Sequence, residues 1–141
     1  MINILLIKAL ILFILLLLAS IRDIQTHEVS NIYSIMIGVT ALIGISLGQV
    51  PRMFLSAIII TIPMFGFALF KPGGIGGADI KLTASCAFFL GLQKGLMFII
   101  LGLFLAVICN LIFKKLLKNR YKEPFALVPY LSVGCMVAYL L

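Results

Sequence analysis

Residues 2–23 read INILLIKALILFILLLLASIRD. From Ile2 to Ile21 only Lys8 carries a charge, and Arg22 and Asp23 close the run. About 20 apolar residues are enough for a helix to cross the roughly 30 Å hydrocarbon core of a bilayer. A helix is the form that fits, because unpaired backbone groups are not tolerated against lipid. The stretch has no basic region ahead of its apolar part and no small-residue cleavage site after it, so it is expected to be a retained span and not a removed signal.

The rest of the chain repeats the pattern. Further apolar segments are expected at 32–47, 54–70, 80–92, 95–113 and 125–141. The chain has 141 residues, 64% of them hydrophobic, with a mean hydropathy of +1.30. Soluble domains are closer to about 45–50% apolar. A soluble domain this small leaves too much surface exposed to hide such an excess. The expectation is an all-α, polytopic membrane protein with about six transmembrane helices, forming one membrane-embedded domain over 1–141.

Net charge is +7. The basic residues lie between apolar runs, so they point to membrane orientation and anionic headgroups rather than to nucleic acid. If all six segments cross, the odd-numbered loops hold Arg22, Lys71, Lys81, Lys114, Lys115, Lys118, Arg120 and Lys122. The other side has Lys8, Arg52 and Lys94. The positive-inside rule then puts the odd loops in the cytoplasm and both termini outside. The protein is thus expected in a cell membrane with multiple passes. Cys86, Cys109 and Cys135 each sit in an apolar run and are read as small buried hydrophobes. Nothing around them or His27 has metal-ligand spacing, so no metal and no cofactor are expected.

Only four acids are present: Asp23, Glu28, Asp79 and Glu123. Asp23 is expected just past the end of the first span and Asp79 at the start of the fourth. Two crossings lie between them, which brings both to the cytoplasmic side at similar depth. A close pair of carboxyls cannot both ionise cheaply and shares a proton, an arrangement suited to activating water against an amide. Each residue also has a plainer reading. Asp79 could be a helix N-cap, and Asp23 a solvated loop acid. Gly73, Gly74, Gly76 and Gly77 could be a flexible turn, or could let a second backbone approach Asp79. The fourth segment's 13 residues give only about 20 Å of helix, so it is expected to begin below the membrane surface.

These residues resemble the prepilin peptidase family, membrane aspartyl proteases with a G-x-G-D motif. Asp23-Ile24-Gln25-Thr26-His27-Glu28-Val29-Ser30-Asn31 is similar to the family's first motif. Gly76-Gly77-Ala78-Asp79-Ile80-Lys81 is similar to the second, with Ala78 where the motif has its second glycine. Pro124-Phe125-Ala126 and Pro129 echo a Pro-Phe stretch near the end. The resemblance implies an endopeptidase whose catalytic residues are Asp23 and Asp79, with Gly76, Gly77, Ala78, Lys81 and Asn31 shaping the substrate's approach. It implies a prepilin-like membrane protein as substrate, with a basic leader cut at the cytoplasmic face, and the lipid bilayer as the other partner. The chain has no C-x-x-C insertion, so no methyltransferase activity is expected. A lipoprotein-type signal peptidase, a non-catalytic transport or assembly subunit with proton-carrying acids, and an inactive relative are the alternatives.

Overall fold

The computed structural model describes residues 2–117 and 126–141. Every regular element among the described residues is helical. Helix α1 spans Ile2–Thr26, α2 Asn31–Leu42, α3 Val50–Phe70, α4 Gly77–Leu116 and α5 Val128–Leu140. A single 3-10 turn, Leu47–Gln49, leads into α3.

The local sequence explains the boundaries. Helix α1 stops at His27, which adopts a left-handed φ of 53° and donates its N–H to the Asp23 carbonyl at 2.9 Å. Ser30 starts α2, its hydroxyl accepting from the Ile32 N–H at 3.5 Å. Pro51 sits in the first turn of α3, where its missing N–H is not needed. The next reversal is Lys71-Pro72-Gly73-Gly74, closed by the Gly74 N–H on the Lys71 carbonyl at 3.0 Å. Proline precedes a glycine at φ +84° there, the pairing that a turn with a positive third position selects.

Helix α4 is not one rod. Gly91, at φ 77° and ψ −178°, breaks it into arms of residues 77–90 and 92–116. A Cβ placed on Gly95 would lie 3.7 Å from the Ala87 Cα. In a continuous helix those residues are about 12 Å apart along the axis, so the chain folds back on itself at Gly91. The sequence-based reading puts a polar loop at Gln93–Lys94; both are helical, and one glycine in a conformation closed to other residues makes the reversal.

Helix α4 packs against α2, α3 and α5, and α1 against α2 and α5. The core joins Leu12, Leu16, Ile37, Leu82, Phe98 and Leu131. The second arm of α4 meets α5 through backbone: a Cβ on Gly134 would lie 2.7 Å from the Gly102 N. Small residues at such contacts are how helices approach closely in lipid. Cys86, on the first arm of α4, and Cys135 of α5 are neighbouring buried free thiols.

The outside of the bundle is apolar, with large hydrophobic side chains exposed on every α-helix. Surfaces of that kind call for lipid, not water. Helices 3–26 and 47–70 are long and apolar enough to cross a membrane, as is the stretch 77–116 that Gly91 divides into two arms, and α2 and α5 are shorter apolar rods. The Tyr139 hydroxyl donates to the Leu5 carbonyl at 3.0 Å, so both ends of the chain lie at one end of the bundle. The basic stretch around Lys118–Lys122, with Glu123, Pro124 and Phe125, falls outside the described residues.

Candidate active site

The glycine turn after α3 delivers Asp79 into the first turn of α4, with Gly76 as the N-cap. The Asp79 N–H donates to the Gly76 carbonyl at 3.1 Å, and the Gly76 N–H donates to Asp79 Oδ2 at 3.2 Å. Asp79 is thus not the N-cap of the plainer reading but the third residue of the helix, whose carboxylate reaches back to the N-cap N–H while remaining half-buried. Gly76 has a specific role here. A Cβ at 76 would stand 3.2 Å from Asp79 Oδ2 and crowd the carboxylate. Gly77 meets no such limit, since nothing lies within 4 Å of a Cβ there. Ala78 lies within α4 with no positive φ, and its methyl packs on the core. The departure from the G-x-G-D pattern at this position therefore demands no glycine-only backbone.

Asp23 sits inside the last turn of α1, not beyond it, because the helix continues to Thr26. It is 6% exposed. Its Oδ2 accepts the Val128 N–H at 3.2 Å, across 105 residues of chain. Val128 opens α5, and its N–H is one of the donors a helix start leaves unpaired. Asp23 supplies the cap that α5 lacks locally, in the field of that helix's positive end.

The two carboxyls therefore belong to two helix N-termini at one end of the bundle. They lie close enough that the charge of one acts on the other. Each uses Oδ2 on a backbone N–H, and among the described residues neither Oδ1 has a hydrogen-bond partner. Two motif residues also come together: Lys81 Nζ donates to Asn31 Oδ1 at 3.1 Å, tying the start of α2 to the start of α4. The partner of Lys81 is 50 residues away and has no sequence signal.

A cavity of about 550 Å³ flanks this end, lined by Arg22, Thr26, Glu28, Val29, Ser30, Ile32 and Tyr33. Neither aspartate lines it. Its floor is fixed by Thr26, whose hydroxyl reaches the carbonyls of Arg22 at 2.9 Å and Glu28 at 3.1 Å. Below the aspartates, Ser20 of α1 and Ser132 of α5 share a hydrogen bond of 2.8 Å. The opposite end of the bundle carries lysines on helix C-termini, Lys8 on the Ala41 carbonyl at 3.3 Å and Lys94 on the Tyr139 carbonyl at 3.0 Å. Among the described residues no three His, Cys, Asp or Glu side chains gather closely enough to hold a metal.

Fold and site together define a helical membrane protein with two carboxyl groups, remote in sequence, gathered at one end. Over residues 10–111 the chain matches the type IV leader peptidase family, and it belongs to that family. The match takes in Asp23, Asn31, the glycine turn and Asp79. No curated protein and no solved structure matches the chain.

Proposed function

We propose that the chain is an intramembrane aspartyl endopeptidase that removes the basic leader from prepilin-like precursors at the cytoplasmic face of a cell membrane. The peptidase family supports the reaction class. The observation that carries the catalytic assignment is the convergence of Asp23 and Asp79, each held by a helix-terminal N–H and within reach of the other's charge. The ionised carboxyl takes a proton from water as the oxygen attacks the scissile carbonyl. The protonated one donates to the carbonyl oxygen as it becomes an oxyanion. The pair titrates as a unit, so neither residue is a fixed acid or base.

In this reading the six rods (α1, α2, α3, the two arms of α4, and α5) form one domain that crosses the membrane about six times. Both termini face outward and the aspartate end faces the cytoplasm, following the distribution of Lys and Arg. A proton-carrying transport subunit is the less fitting alternative, because its acids belong near the bilayer midplane. Asp23 and Asp79 lie in terminal helix turns.

Co-expression with a prepilin-like precursor, resolved by gel shift, tests the proposal. The wild type shortens the precursor and Asp79→Asn leaves it whole. A precursor left uncut by the wild type, or cut equally by the variant, overturns the reading.

A further inference from the structure

Two threonine hydroxyls depart from the habit of these helices. The hydroxyls of Ser20, Thr26, Thr40, Ser56, Ser85 and Ser132 each donate to a carbonyl three or four residues back in their own helix. Thr61 of α3 and Thr83 of α4 have buried oxygens with no hydrogen-bond partner among the described residues. An unpaired buried hydroxyl is costly, and protein interiors rarely keep one. The two differ in surroundings. Thr61 lies on an apolar groove with Ile58, Ile62, Phe65 and Ala84. Thr83 is fully buried one helical turn after Asp79. Its nearest ready acceptor, the Asp79 carbonyl four residues back, is one it does not take.

Residues four apart share a helix face, with Cβ atoms about 6 Å apart. Cα–Cβ bonds tilt toward the helix start, so the Thr83 side chain leans toward Asp79. Asp79 Oδ2 is turned back to the Gly76 N–H, and its Oδ1 has no partner among the described residues. Two unmatched polar atoms therefore stand one above the other on a helix packed against α2, α3 and α5. No direct bond joins them. One water spans such a gap with two O–H···O bonds of about 2.8 Å each. We propose that Thr83 is a positioning residue for the aspartate pair, its hydroxyl holding a water against Asp79 Oδ1 from beneath, an inference that rests on the peptidase reading above. Held at Oδ2 by Gly76 and at Oδ1 from below, the Asp79 carboxyl keeps one orientation toward Asp23. A carboxylate oxygen has a second acceptor position, so Oδ1 stays open to the reacting groups.

Isosteric substitution tests this. Thr83→Val exchanges the hydroxyl for a methyl of similar shape, Thr83→Ser keeps the hydroxyl, and Thr61→Val is the matched control. Each purified enzyme is melted in detergent and assayed on a tagged prepilin-like precursor. In Thr83→Val, kcat is expected to fall roughly tenfold or more with KM near wild type. Thr83→Ser should keep most of kcat, and Thr61→Val should change neither constant. Thr83→Ala replaces the valine variant should that one melt far below wild type. A Thr83→Val enzyme with wild-type kcat and a higher melting temperature overturns the proposal, since a hydroxyl with no partner is better replaced by a methyl. Equal losses in the valine and serine variants also overturn it, because they report packing and not the hydroxyl. Infrared spectra read the contact without catalysis. The protonated Asp79 carboxyl band, assigned by its loss in Asp79→Asn, should move to higher frequency in Thr83→Val; an unmoved band contradicts the bridge. Cleavage by the wild type with kcat unchanged in Thr83→Val sinks the positioning role and spares the peptidase. No cleavage by the wild type sinks the peptidase reading, and the infrared band then decides the Thr83 contact.

Discussion

At the scale of single residues, Asp23 and Asp79 each do two things. Each carboxyl holds a helix start, and in the proposed function each also takes part in the chemistry. The two roles separate by substitution. Asparagine keeps a side-chain oxygen to accept the Val128 or Gly76 N–H, whereas alanine leaves that donor unmatched. Losing such a cap costs about 1 kcal/mol. Asp23→Asn is therefore expected to melt near the wild type in detergent, and Asp23→Ala clearly lower. A thiol-reactive dye reads this in a Cys109→Ser background, because Cys86 and Cys135 are buried until the bundle opens whereas Cys109 is partly exposed. Equal melting of both variants would mean that the Val128 contact stabilises nothing. The same residues show what the sequence makes legible. The two acids stand out because so few charges interrupt the apolar runs. The partner of Asp23 does not, since a backbone N–H 105 residues away leaves no side-chain trace. Lys81 with Asn31, and Cys86 with Cys135, are hidden for the same reason.

At the scale of elements, three glycines are expected to respond differently to alanine. Gly66 lies in α3 with nothing within 4 Å of a Cβ. Replacing it removes unfolded-chain entropy, so Gly66→Ala should be neutral or stabilise by up to about 1 kcal/mol. A Cβ on Gly134 would lie under 3 Å from the backbone of Gly102 and Phe98. A methyl there must push α5 off α4, and overpacking of that kind costs about 1–3 kcal/mol. Gly91 has open space around it, but its φ of 77° penalises any side chain. Gly91→Ala should destabilise by about 1–3 kcal/mol through strain alone. Thermal melts of the three variants give the order 66, then the other two below; a tolerant Gly134 would contradict the close helix contact. Apolar run lengths reveal the helices, because lipid demands them. Their ends are less legible. Asp23 falls inside α1 because a histidine in the left-handed region, rather than the Arg22–Asp23 pair, stops the helix.

At the scale of the whole molecule, charge is sorted along the bundle. Carboxylates sit on helix N-termini at one end, and Lys8 and Lys94 on helix C-termini at the other. Each arrangement follows the helix dipole. The topology proposed from the basic loops turns the lysine end and both termini outward. Reporter fusions at the C-terminus check this: alkaline phosphatase should be active there and a cytosol-dependent fluorescent reporter dark. The reverse result would invert the molecule and place the aspartates on the wrong side for a cytoplasmic leader. Hydrophobicity makes the helices readable from sequence, while the fold-back at Gly91 emerges only when the rods are assembled. The most direct measurement of the central claim is hydrolysis by purified protein in detergent, using one precursor and three enzymes: wild type, Asp23→Asn and Asp79→Asn. Expected is a single cut at the end of the leader by the wild type, and none by either variant at unchanged melting temperature. Leader removal persisting in either asparagine variant would contradict a shared two-carboxyl site.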